Sequence, residues 1–276
     1  MDSPWLHRYA VLLAVYALFV ILLGAFLTTN LSGPPLTGGM LGGFFTEATH
    51  RSAGVGLIVL TLGLAIRLSM VDPRKWLSRF AWIALALLVL ETGLGEMKTF
   101  RSLPRTPGIL HACFAQLFFC AVAAIAVFTS SGWNQGEEPV QDYGWPSMRS
   151  LAITMPVLVF TQVALGAAFR HQAIGVVWHL LGAMIVSLAV LIVCAFTMQQ
   201  FPTHRSLHPA AVRLIALTAT QVFLGLAVYT MRLQTAENTT PVMITILTHI
   251  ATGALTFAAS VILGIQIRRN VHPRTA

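Results

Sequence analysis

Eight uninterrupted apolar runs divide this chain of 276 residues. A run of roughly 20 such residues crosses the hydrocarbon core of a bilayer as a helix. The runs fall at about 9–28, 46–68, 79–97, 108–129, 149–169, 175–196, 211–231 and 242–267. Hydrophobic residues make up 56% and charged residues only 9%, so the short connections leave no room for a soluble domain. The runs are continuous and do not alternate, which argues against barrel strands and for helices. The expected fold is an all-α membrane protein of eight transmembrane helices.

The placement of Lys and Arg sets an orientation. With the N-terminus inside, the cytoplasmic side collects Arg8, Arg67, Arg74, Lys75, Arg79, Arg149, Arg205, Arg213, Arg268, Arg269 and Arg274, which is 11 of the 17 basic residues. Both termini are therefore expected in the cytoplasm. The net charge of +8 is accounted for by this orientation and by lipid headgroups, with no nucleic-acid partner. The first run is long, and no clear small-residue cleavage site follows it, so it reads as a retained span. The start carries no Arg- and Ser-rich amphipathic leader, which points to a bacterial plasma (inner) membrane. Cys113, Cys120 and Cys194 all fall inside spans and read as buried structural thiols. Seven residues apart on one helix, Cys113 and Cys120 are too distant to form a disulfide.

The chain repeats itself. Odd spans carry Leu-Gly near their outer ends, in the runs VILLG to Gly24, ETGLG to Gly95, QVALG to Gly166 and QVFLG to Gly225. Even spans carry a histidine near their start, with a small residue four positions on: His50 and Gly54, His111 and Ala115, His179 and Ala183, His249 and Gly253. Alternate spans enter from the same side, so these four imidazoles share one depth near the outer, periplasmic face. Matching the halves pairs His50 with His179 and His111 with His249. Two tandem four-helix bundles follow, residues 1–132 and 149–276, joined by a polar cytoplasmic linker at 133–148. Each bundle offers one histidine couple, and axial histidine pairs are a standard way to hold haem iron. The small residue below each His would let a flat macrocycle approach the backbone, although small residues also pack membrane helices without any ligand. A lone His at a span end reads as an interfacial polar residue; four at equivalent places read as ligands. His7, His171, His204, His208 and His272 lie in terminal or connecting segments and are expected in solvated loop roles.

Glu47 lies three residues before His50, on the same helix face and slightly further out. Ionisable groups beside the hydrocarbon are costly and tend to be functional. No equivalent carboxylate is expected at the other three histidines. Glu47 also stands four before Arg51, so an ion pair at the helix start is a compatible reading.

These residues resemble the haem A synthase family: Glu47, His50 and Arg51 in one run, His111, His179 and His249 at the other even spans, and the tandem layout, over essentially the whole chain. In that family the C8 methyl of haem O is oxidised, through a hydroxymethyl group, to the formyl group of haem A. The resemblance implies that His50 and His111 bracket the substrate haem with Arg51 beside it, and that Glu47 takes part in the oxidation. It implies that His179 and His249 ligate a haem b cofactor serving as electron relay. Haem O, a haem O synthase, an unidentified electron acceptor and membrane lipids are the implied partners, and a homo-oligomer is compatible with them. Lys98, Arg101 and Arg105 would suit haem propionates, or form a plain basic loop. Many members carry a cysteine pair in the first outer loop. Here that loop reads TTNLSGPPLTGGMLGG, so no cysteine-dependent step operates. A dihaem b-type electron-transfer protein and a haem transporter are the alternative readings.

Overall fold

A computed structural model describes residues 4–30, 46–97, 105–137, 139–142 and 147–273. Eight long helices carry the fold: α1 (Pro4–Asn30), α2 (Glu47–Val71), α3 (Lys75–Met97), α4 (Thr106–Phe128), α5 (Met148–Arg170), α6 (Val176–Gln200), α7 (Leu207–Gln234) and α8 (Thr240–Asn270). All eight are long and apolar enough to cross a membrane. The chain is thus an all-α, multi-pass membrane protein. Its helices begin earlier than the apolar runs at α1 and α3, and α8 is longer at both ends. Hydropathy marks only the hydrocarbon-facing stretch, whereas backbone hydrogen bonding continues into the headgroup region, where polar and basic residues sit comfortably.

Local sequence explains the helix starts. Thr46 caps α2, its hydroxyl accepting from Thr49 N at 3.1 Å, and Glu47 places an acid in the first turn, where the helix dipole favours it. Pro107 and Pro241 stand in the first turns of α4 and α8, where a missing N–H costs nothing. Buried hydroxyls within the spans satisfy themselves on their own helix. Thr61, Thr197, Thr218 and Thr256 each donate to the carbonyl four residues back, at 2.7–2.8 Å, as an environment without water requires.

The packing closes two rings. In the first half α1 packs on α2, α2 on α3, α3 on α4 and α4 back on α1; in the second, α5, α6, α7 and α8 repeat that circuit. The rings meet where α8 packs against α4 and α1, and α4 against α5. Accordingly α4 and α8 are the most buried helices. Gly264 marks a close backbone approach inside the second ring, because a Cβ there would meet the Ala152 carbonyl oxygen of α5 at 2.5 Å. Outward faces are apolar, with Val15, Met70, Ile83, Met184, Phe223 and Leu233 all exposed, as suits lipid.

Polar contacts join the halves at both ends. At the end where α1 finishes, Arg170 Nη2 donates to the Ala25 carbonyl and to Thr29 Oγ1, and Asn238 Nδ2 donates to the Thr29 carbonyl at 2.8 Å. At the opposite end the linker is not wholly irregular. It forms a helical turn at Ser131–Gln135 and a two-residue strand β1 (Val140–Gln141), parallel to β2 (Val271–His272). Two open surface depressions lie at this end, one beside Trp133 and Arg269 and one beside Glu137 and His204.

Candidate functional site

The ring order places α2 and α4 on one diagonal of the first bundle, and α6 and α8 on one diagonal of the second. Histidines on diagonal helices can meet only across the bundle interior, and they do. His50 and His111 have ring centres 6.4 Å apart with planes at 87°; His179 and His249 have centres 6.5 Å apart with planes at 89°. An imidazole nitrogen binds a first-row metal at about 2.0 Å, and the ring centre lies about 1.2 Å behind it. Two rings sharing one metal from opposite sides therefore have centres about 6.4 Å apart, close to both observed spacings.

Each imidazole leans on a glycine of the preceding odd helix. A Cβ at Gly24 would meet His50 Cε1 at 2.8 Å; at Gly95, His111 Cε1 at 3.0 Å; at Gly166, His179 Cε1 at 3.0 Å; at Gly225, His249 Cε1 at 3.1 Å. Here the Leu-Gly repeat finds its partner: a bare backbone lets the Cε1 edge of the ring come close to the neighbouring helix. The small residues one turn below the histidines have unlike surroundings. A Cβ at Gly54 would meet nothing within 4 Å, whereas one at Gly253 would meet Gln221 Nε2 at 3.1 Å. None of these four imidazole seats is made by the histidine's own helix.

One helical turn before each glycine stands a second recurring position, occupied by Val20, Glu91, Gln162 and Gln221. His111 Nδ1 lies 3.0 Å from the Glu91 carbonyl oxygen and 3.0 Å from Glu91 Oε1. Gln162 Nε2 lies 2.9 Å from His179 Nδ1 and donates to the His179 carbonyl at 2.9 Å. Gln221 Nε2 lies 3.2 Å from His249 Nε2, and His249 Nδ1 is buried without a hydrogen-bond partner among the described residues. An orphaned buried imidazole nitrogen is costly, and either ring nitrogen can ligate a metal. Sequence alone does not single out Glu91, Gln162 and Gln221, although the runs ETGLG, QVALG and QVFLG contain them. Their i, i+4 spacing to the glycine was the available signal. The expectation that only His50 has a nearby carboxylate is corrected: Glu91 touches His111 directly.

Glu47 and Arg51 sit at the rim. Arg51 Nη2 donates to Glu47 Oε1 at 2.9 Å, and Arg51 Nη1 lies 3.2 Å from Glu96 Oε2 on α3. All three side chains are about half exposed or more, so the network tethers α2 to α3 with modest energy. Of the basic loop, Lys98 and Arg101 lie outside the described residues, as does the cysteine-free first loop beyond Asn30. Arg105 Nη1 donates to the Gln172 carbonyl.

Three other histidines depart from the expected solvated roles. His7 lies within α1 and meets the Ala126 carbonyl at 2.8 Å. His171 packs on Gly108, where a Cβ would meet its Cε1 at 2.7 Å. His204 lies 2.9 Å from Glu137 Oε2, with its side chain 7% exposed. Each helps join elements distant in sequence.

Among the described residues no group of three or more His, Cys, Asp or Glu side chains is gathered to hold a metal ion. A porphyrin supplies four ligands in its own plane, so two protein ligands suffice. The three cysteines are free and buried. Neither models of known protein families nor the curated proteins give a match to this chain. Fold and site together define a multi-pass helical membrane protein with a pair of opposed imidazoles inside each of two four-helix rings.

Proposed function

We propose that this chain is a haem-binding membrane oxidoreductase of the haem A synthase type, converting the C8 methyl of a substrate haem O to a formyl group. The observation that carries the reading is the duplicated imidazole couple, with ring centres 6.4 and 6.5 Å apart. His50 and His111 would hold the substrate, with Arg51 at its edge. His179 and His249 would hold a resident haem b, which supplies one-electron redox chemistry when bound. Its fit rests on the spacing of the two rings and on the glycine seats at Gly166 and Gly225.

The residues of the chain divide the work. The glycine seats fix where each ring can lie. Glu47, anchored by Arg51 at the mouth of the first ring, would take a proton as the methyl is oxidised. The bacterial inner membrane, with the histidine couples toward the periplasm, is the location that charge placement supports. Haem O would arrive from a haem O synthase in the same bilayer, water would supply the formyl oxygen, and an external acceptor would take the electrons.

The near identity of the two couples favours a second reading, a dihaem b-type electron-transfer protein in which both groups are fixed. Co-expression with a haem O source, followed by mass analysis of the pigments in the purified protein, separates the two. Haem O, its hydroxymethyl form or haem A supports the synthase reading; haem b alone in both sites overturns it. In Glu47→Gln we expect haem content to hold and formyl product to fall by about 100-fold or more, within the usual worth of a general base. Undiminished product in that variant removes Glu47 from the chemistry.

A further inference from the structure

The residue one turn before each glycine seat differs in kind between the halves. In the second half both positions are amides, Gln162 on His179 and Gln221 on His249. In the first half one is Val20, whose side chain cannot hydrogen-bond, and the other is Glu91, whose Oε1 lies 3.0 Å from His111 Nδ1. The pair is largely enclosed, with His111 and Glu91 side chains 16% and 13% exposed.

The main chain fixes the proton. His111 Nδ1 also faces the carbonyl oxygen of Glu91 at 3.0 Å, an atom that can only accept. Nδ1 therefore donates, and Nε2 keeps its lone pair for a metal. The carboxylate adds a charge-assisted component to that donation, about twice as strong as a neutral hydrogen bond. A carboxylate behind a ligating histidine orients the ring and raises its basicity.

We infer that Glu91 is a positioning residue that makes His111 a more electron-rich ligand than its counterparts in the second half, so that the two haem sites differ in reduction potential by design of this one position. The inference rests on the proposed haem reading. A more basic axial imidazole stabilises the oxidised iron, so the first site is held at lower potential than the second. That ordering makes the second half the better electron acceptor, in keeping with withdrawal of electrons from the first.

The test is a spectroscopic redox titration of the purified full-length chain, with visible and low-spin electron paramagnetic resonance signals followed for each haem. In Glu91→Gln, which recreates the Gln162 and Gln221 arrangement, both haems stay bound. The first-site midpoint potential rises and its low-spin signal shifts, while the second site is unmoved and serves as the folding control. Glu91→Leu loosens the first haem by roughly 10- to 100-fold. The reciprocal Gln162→Glu lowers the second-site potential, which keeps the proposal testable if the Glu91 variants misfold. An unchanged first-site potential in Glu91→Gln with both haems present overturns the inference. If instead His111→Ala leaves both haem signals intact, the haem assignment itself has failed, an outcome distinct from the first.

Discussion

At the scale of single residues, the site depends on what is absent from four positions as much as on the imidazoles. A helical Gly→Ala change in the interior of an exposed helix ordinarily stabilises by about 1 kcal/mol. At Gly24 the added carbon would stand 2.8 Å from His50 Cε1, closer than atoms tolerate, so the ring must move. Gly24→Ala should therefore leave thermal stability equal or higher while lowering occupancy of the proposed first haem site by about 10-fold or more, measured as haem per protein after purification. Full occupancy would show that the seat is incidental. The histidines were legible in the sequence because their repeat is local and one residue type marks it. The seats were half legible: Leu-Gly was visible as a repeat, but its partner lies on the next helix, and no spacing within one helix reveals that. Glu91 escaped for the same reason, since its i+4 relation is to Gly95 and its contact is with His111.

At the scale of elements, span cores could be read from apolar runs, but their ends and connections could not. Helices reach past the hydrocarbon into polar sequence, and the strand pair of β1 and β2 joins residues 131 positions apart, Val140 with Val271. The turn between α2 and α3 illustrates how connections hold the helices. Arg74 Nη2 pairs with Asp72 Oδ2 at 2.6 Å, and Arg74 Nη1 donates to the Phe128 carbonyl at the end of α4 at 2.8 Å. The Arg74 hydrogen bonds hold the Asp72 carboxyl below its ordinary value of 3.8, despite some desolvation that pushes the other way. A depressed folded value means the stabilisation is complete above 3.8 and is lost as pH falls through the lower folded value. Asp72→Asn should thus destabilise by about 1–3 kcal/mol at pH 7. Below about pH 4 the gap between variant and native should narrow, followed by thermal unfolding in detergent across pH. A gap that persists unchanged into strong acid would show that the ion pair does not supply the stability.

At the scale of the whole molecule, two rings of four helices repeat one plan and differ at chosen points. Fold class followed from eight apolar runs, and the pairing of halves from the spacing of four histidines. The ring order, which sets the histidines on diagonals and faces them across an interior, comes only from packing. The central claim is that each diagonal clasps one haem between nearly perpendicular rings. Axial imidazoles with crossed planes give a highly anisotropic low-spin signal, whereas parallel planes give an ordinary rhombic one. Low-temperature electron paramagnetic resonance of the purified, oxidised chain and of His179→Ala therefore tests the claim most directly. The account predicts anisotropic low-spin signals from the native protein, with those of the second site lost in His179→Ala and any from the first retained. A native protein without a bis-imidazole signal, or one whose signals all survive in His179→Ala, would contradict it.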